Sequence, residues 1–191
     1  MVEIYKETLI DLLQGDEQFC TPFQDLKIKE CPKRGTYIEG LTEASIICQE
    51  ELLAIIQAGE RQRHISSTRM NKTSSRSHSI CTIEILQKFP NDSEKRGNLN
   101  LVDLAGSERV SKSQAKGQAL EEAKKINLSL SVLANVINSL TKNNNHIPYR
   151  DSKLTRLLKE SLGGNNKTTL VVACSLFSGS SDETISSLRF A

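Results

Sequence analysis

Two short runs of this sequence hold residue types suited to phosphate chemistry. The first is Leu101-Val102-Asp103-Leu104-Ala105-Gly106-Ser107-Glu108. An apolar strand here would deliver Asp103 at its carboxyl end, where α/β folds bind their ligands. A carboxylate so placed can act on Mg²⁺, directly or through water. Gly106 follows three residues later, and without a Cβ its backbone N–H can come close to a terminal phosphate. The second run is Asn71-Lys72-Thr73-Ser74-Ser75-Arg76-Ser77-His78, which gathers hydroxyls around one arginine. Serine hydroxyls can ligate Mg²⁺ or hydrogen-bond a phosphate, and arginine pairs with phosphate or carboxylate. Taken singly, each run also fits a blander reading: D-x-x-G ends ordinary strands, and a serine-rich run can be a linker.

The elements that must position these runs can be read from periodicity. Val2–Tyr5 reads as a short strand, followed by an apolar cluster at Leu9, Ile10, Leu12 and Leu13. Residues 14–40 are broken by Pro22, Pro32 and Gly35 and read as loops with a short strand over 26–28. Residues 42–58 suggest a helix, with Ile46, Leu53 and Ile56 near helical spacing and Gly59 just beyond. Residues 61–79 are polar and read as a long loop, of the kind that is functional or disordered. Cys81, Ile83 and Ile85 alternate with polar residues as a strand, which the turn region 90–97 connects to a second strand over 98–103. Ala123, Ile126, Leu130, Leu133, Ile137 and Leu140 form an apolar stripe on a long helix over about 118–141. A shorter helix is expected over 151–162, with Asp151 or Ser152 as its N-cap and Gly163-Gly164 as its stop. Residues 170–174 read as a buried strand, and 182–191 as the start of a last helix. There are no repeats and no linker, so a single α/β domain over 1–191 is expected.

Composition narrows the function classes. The chain has 191 residues, 25% charged and 37% hydrophobic, which fits a folded domain and not a disordered tail. No apolar run is long enough to span a bilayer, and the acids Glu3, Glu7 and Asp11 do not fit a signal peptide. Five widely spaced cysteines without a C-x-x-C pair read as reduced thiols of a cytoplasmic protein. His64 and His146 have no partners at metal-ligand spacing. Aromatic residues are only 4% of the chain, so base stacking with RNA is poorly supported. The net charge of +2 conceals an uneven distribution. Between Arg109 and Glu160 there are ten basic residues and four acidic ones, which suggests a surface for an acidic partner, although composition alone favours a solvated helix face.

Together the two phosphate-type runs resemble switch I and switch II of the kinesin motor domain, and the resemblance covers nearly the whole chain. Val2-Glu3-Ile4-Tyr5 through Asp11-Leu12-Leu13, Ile126-Asn127-Leu128-Ser129-Leu130, Pro148-Tyr149-Arg150-Asp151-Ser152-Lys153-Leu154-Thr155-Arg156, Ser161-Leu162-Gly163-Gly164-Asn165 and Leu188-Arg189-Phe190-Ala191 match the family in the correct order. The resemblance implies a P-loop-NTPase-like α/β motor fold, with a central, mostly parallel sheet flanked by helices. It implies Mg·ATP as cofactor, microtubules as partner, and a cytoplasmic, cytoskeletal location. Nucleic acid and membrane are not expected partners. By the same resemblance Ser75 is the Mg²⁺-associated hydroxyl, with Ser74 and Asn71 near the nucleotide. Asp103 acts on Mg²⁺ through water, and the Gly106 N–H senses the terminal phosphate. Arg76 and Glu108 form a salt bridge that closes one switch on the other, an order–disorder device also used by GTPases. Asn127 sits near the attacking water. Arg109, Lys112, Lys124, Arg150, Lys153 and Arg156 face the acidic surface of tubulin.

One departure from the family stands out. The sequence contains no G-x-x-x-x-G-K-[ST] run, and Gly163-Gly164-Asn165-Asn166-Lys167-Thr168 has its glycines misplaced relative to Lys167. The chain therefore reads as a motor domain without its N-terminal strands and phosphate loop. On that reading it binds ATP poorly by itself and leaves sheet edges uncovered. The competing readings are a non-enzymatic microtubule-binding module of the same family, a small GTPase and a nucleic-acid binder. The GTPase reading lacks N-K-x-D, and the basic stretch lacks the aromatic interleaving of a nucleic-acid surface.

Overall fold

The structure is a computed structural model that describes residues 1–14, 26–32, 34–69, 74–106, 118–175 and 177–190. These residues gather into two compact units, one of residues 1–29 and 38–105 and the other of residues 30–37 and 106–191.

The first unit is built on a four-stranded sheet in the order β2-β1-β5-β6, made of β1 (Val2–Tyr5), β2 (Thr8–Asp11), β5 (His78–Lys88) and β6 (Glu94–Asp103). All three pairings are antiparallel. The mostly parallel sheet expected from the family resemblance is therefore not what the described strands form. Short connections explain the β1–β2 and β5–β6 pairings, because hairpin loops can join only antiparallel neighbours, whereas parallel ones need a long crossover. Lys6 and Glu7 alone link β1 to β2, at φ 51° and 62°. Those angles make the turn that matches strand twist, here without the usual glycine or asparagine. Residues 89–93 link β5 to β6, closed by the Phe89 N–H donating to the Ser93 carbonyl at 2.9 Å. Both strands run further into the expected turn region than alternation suggested, and β6 begins at Glu94.

Val2, Ile4, Tyr5, Leu9, Leu12 and Ile80 form the core of this unit, together with Leu26 and Ile28. The far half of the β5–β6 hairpin is left uncovered. Ile85, Leu99 and Leu101 are 58%, 49% and 48% exposed. Register puts Leu99 opposite Ile83 and Leu101 opposite Cys81, so these apolar side chains share one face.

A second hairpin pairs β3 (Lys27–Cys31) with β4 (Gly35–Glu39), where only residues 26–28 had shown strand character. Gly35, at φ +74°, occupies the left-handed conformation that side-chain-bearing residues avoid. The chain is stitched where it returns: the Asp11 carboxylate accepts the Leu13 N–H at 2.9 Å and the Thr42 N–H at 2.7 Å.

The helix expected over 42–58 lies later, as α1 (Gln49–Arg69). Its start is fixed by the Glu51 carboxylate, which accepts the Ile47 N–H at 3.0 Å, and by Glu50 and Glu51 in the first turn. Its second half runs through the polar stretch that was read as loop. Glu60, Arg61, Gln62 and Arg63 are good helix formers, and polarity alone did not stop the helix.

The second unit is helical. In α2 (Gln118–Thr141), Leu130, Val132, Leu133 and Val136 are buried, which broadens the predicted stripe beyond its 3-4 spacing. The helix expected over 151–162 is interrupted. A 3-10 turn (Tyr149–Asp151) leads into α3 (Lys153–Leu157), and α4 (Lys159–Gly163) follows a break at Leu158. Of the two candidate caps, Ser152 serves, its hydroxyl accepting the Leu154 N–H at 3.1 Å. A Cβ at Gly163 would collide with the Tyr149 hydroxyl, so a larger residue there would displace that side chain. The last helix, α5, spans Ser181–Phe190, close to expectation.

The buried strand expected over 170–174 is absent. Those residues have no regular structure, and Val171 is 87% exposed. A strand requires a hydrogen-bonded neighbour, and no described strand runs beside this segment.

Leu154 is completely buried at the contact of α3 with α2, whereas Leu53 on α1 is 48% exposed. Leu154→Ala is expected to cost about 2–5 kcal/mol in urea unfolding. Leu53→Ala is expected to change stability by no more than about 0.5 kcal/mol. Equal costs would contradict this placement of the core.

Candidate functional site

The two phosphate-type runs converge at one end of the four-stranded sheet. β5 begins at His78, immediately after the 3-10 turn Ser74–Arg76, and β6 ends at Asp103. Register sets Ser79 opposite Asp103 and Glu3 opposite Ser79, so a polar row crosses β1, β5 and β6.

Arg63 of α1 closes this end. Its Nη1 donates to Asp103 Oδ2 at 2.6 Å and lies 3.2 Å from the Ser79 hydroxyl, and its Nη2 donates to the Ser77 carbonyl at 2.9 Å. The Arg63 side chain is only 11% exposed, while that of Asp103 remains 68% exposed. One planar fork thus satisfies partners on two strands from a helix.

His78 is the second tie. It is 3% exposed, and its Nδ1 accepts the Ala105 N–H at 2.9 Å. This fixes the peptide one residue before Gly106. Burial, and then the Arg63 charge, push the His78 pKa down to about 4, against the opposing pull of Asp103. The imidazole is therefore neutral at neutral pH, as an Nδ1 acceptor must be.

The remaining predicted residues fall as follows. Ser75 and Arg76 are exposed beside the start of β5, and Gly106 is half-buried just past β6. Ser74 lies in the same 3-10 turn. Asn71, Glu108, Arg109 and Lys112 lie outside the described residues. Lys124 and Asn127 are on α2, with their side chains outside the description. Arg150, Lys153 and Arg156 gather in the second unit, on the 3-10 turn and α3.

Sequence reasoning missed Arg63, Glu3 and the tie made by His78. Arg63 was hidden because its stretch read as loop. Extending the helix through the strong helix formers at 60–63 would have placed it. Glu3 is 2% exposed, a buried acid that strand alternation alone does not flag.

As a place for a hydrated cation, this end offers oxygen donors, the exposed Ser75 hydroxyl and the accessible Asp103 carboxylate. That is the ligand type Mg²⁺ prefers while keeping several of its own waters. Among the described residues no cluster of His, Cys, Asp or Glu could hold a metal by itself. No described helix is long and apolar enough to cross a membrane.

Comparisons with known proteins agree on one family. The family model of the kinesin motor domain matches residues 1–191. The chain is 54% identical over 190 residues to kinesin-related protein 5 of Dictyostelium discoideum, covering 99% of this chain and 19% of that protein. It is 52% identical to the kinesin heavy chain of Botryotinia fuckeliana, covering 99% of this chain and 21% of that protein. A solved structure of a fast kinesin, described for its ATPase mechanism and microtubule interactions, matches with a TM-score of 0.87 and 50% identity. That match covers 99% of this chain and 52% of the solved one. The chain therefore spans about a fifth of the curated relatives and about half of the solved motor.

The lowered pKa of His78 gives a signed pH dependence. Between about 6.5 and about 4 the unfolded state takes up a proton that the folded imidazole refuses. The stability His78 contributes is complete above about pH 6.5 and is lost as pH falls towards 4, on the order of 3 kcal/mol over that window. His78→Asn keeps a side-chain acceptor without titrating. Its melting temperature should therefore fall less steeply than that of the unsubstituted chain from pH 6.5 to 4.5. Parallel curves would contradict the assignment.

Proposed function

The chain belongs to the kinesin motor domain family, and on that basis we propose that it forms the switch-bearing and track-facing part of an ATP-hydrolysing microtubule motor in the cytoplasm. The observation that carries this reading is the junction at Arg63. It places the end of the Asn71–His78 run and the start of the Asp103–Glu108 run side by side, as two nucleotide-sensing segments require.

The residue roles proposed for the two runs are those that the family resemblance implies. The Ser75 hydroxyl and the Asp103 carboxylate, the latter through water, hold Mg²⁺, while Ser74 and Asn71 lie near the nucleotide. The Gly106 N–H meets the terminal phosphate. Arg76 pairs with Glu108 to close the first switch on the second, and Asn127 orients water. Arg63 restrains Asp103 at the sheet end, and His78 holds the peptide before Gly106. Mg·ATP, when bound, supplies the transferred phosphoryl group and the cation that offsets its charge. Since the sequence has no phosphate-cradling G-x-x-x-x-G-K-[ST] run, weak binding of Mg·ATP is proposed for residues 1–191 alone.

Microtubules are the proposed track, met by Arg150, Lys153 and Arg156 with Arg109, Lys112 and Lys124. Co-sedimentation of this chain with microtubules should weaken steeply as salt rises. Changing Arg150, Lys153 and Arg156 together to Ala should weaken pelleting about tenfold at low salt. Unchanged pelleting would overturn the assignment of this face.

A further inference from the structure

Three cations of the second unit converge on one carboxylate. Lys159 Nζ donates to Glu30 Oε2 at 3.0 Å. Arg156 Nε and Arg150 Nη2 lie 3.7 and 3.9 Å from Glu30 Oε1. Arg150 and Arg156 are two of the residues assigned above to the tubulin face, so an acid of the chain itself sits where an acid of the track is needed. The hydrogen bond and charge of Lys159, then the charges of Arg150 and Arg156, hold the Glu30 carboxyl below its ordinary range, so it stays ionised at neutral pH.

The position of Glu30 is built into the fold. It belongs to β3, in the hairpin whose left-handed turn at Gly35 comes close to α4. A Cβ on Gly35 would stand 3.4 Å from Glu160 Cγ. On the other side, Ser152 caps α3 and Leu154 anchors it, which fixes the helix carrying Arg156. The pairs are open to solvent at Arg150 and partly covered at Arg156, whose Nε is buried. The Arg150 side chain is 81% exposed and that of Glu30 is 32% exposed. Exposed ion pairs are each worth roughly 1 kcal/mol or less, so they exchange partners readily.

We propose that Glu30 is a built-in competitor that occupies the cationic seat of Arg150, Arg156 and Lys159 in the free chain and is displaced by an acidic side chain of the bound partner. This rests on the microtubule reading for the identity of that partner. The seat thereby lowers the affinity for the track. It also favours partners whose acids are dense enough to outcompete a tethered carboxylate, a form of discrimination by opposing interaction.

The test measures the affinity of the whole chain for microtubules and, separately, for a poly-glutamate peptide. Glu30→Gln should tighten binding of both about three- to tenfold at low salt, with a steeper salt dependence. Glu30→Asp keeps the charge but shortens the reach, and should give a smaller gain; it carries the test if the Gln variant fails to fold. Glu39→Gln removes an equal charge from the same hairpin, where Glu39 pairs with Lys29, and should change affinity less than twofold. With Arg150, Arg156 and Lys159 all changed to Ala, Glu30→Gln should have no effect. Unchanged or weaker binding of Glu30→Gln on both probes overturns the proposal, as does an equal gain from Glu39→Gln. If the peptide responds and no variant pellets with microtubules, the competitor stands and the microtubule reading falls.

Discussion

Arg63 reaches a carboxylate, a hydroxyl and a backbone carbonyl from a single guanidinium, and the geometry around the two phosphate-type runs depends on that reach. Burying a guanidinium to this degree is costly, and the bonds made by its two Nη atoms offset that cost. These bonds constrain the protein in two ways. The second half of α1 must lie over the sheet end, and β5 and β6 must keep Ser79 opposite Asp103. A one-residue slip between the two strands would send Asp103 to the other face, away from Arg63. Beside it, the neutral ring of His78 extends the same order one peptide further, to the residue before Gly106.

Two electrostatic arrangements in this chain differ in kind. At the sheet end the guanidinium is nearly covered, so water competes poorly and the charge-assisted hydrogen bonds are short and directional. Around Glu30 the groups are more accessible, the arginines lie at 3.7 to 3.9 Å, and solvent and salt weaken the pairs, most of all that of Arg150. The first arrangement fixes geometry. The second is suited to being remade when another charged surface arrives.

Much of this was legible in the sequence, and the failures have physical causes. The Asn71–His78 and Asp103–Glu108 runs stand out because their residue types are unusual for filler, and the apolar stripe of α2 fixed that helix. The second half of α1 was misread because its buried contact is one arginine rather than a row of apolar residues. The β1–β2 turn escaped notice because Lys6 and Glu7 adopt angles for which their residue types give no signal. Residues 170–174 show the opposite failure: an apolar run has strand propensity, but propensity cannot supply the neighbour that a strand needs. The kink at Leu158 was unreadable because the Leu154, Leu157 and Leu158 pattern suits both a continuous helix and a broken one.

The Asp11 carboxylate, bonded to the backbone N–H groups of Leu13 and Thr42, gives the β3–β4 region a topological character of its own. By joining residue 42 to residue 11, it turns the intervening chain into an excursion whose two ends are fixed beside each other on the sheet. The entropy of closing such an excursion grows only logarithmically with length, so doubling it costs about 0.6 kcal/mol. The sheet is thus insulated from changes in the hairpin's size. The segment that brings Glu30 to its cations can be lengthened, shortened or exchanged while the strands that align Ser79 with Asp103 stay undisturbed, so the charges around Glu30 can diversify independently of the sheet end.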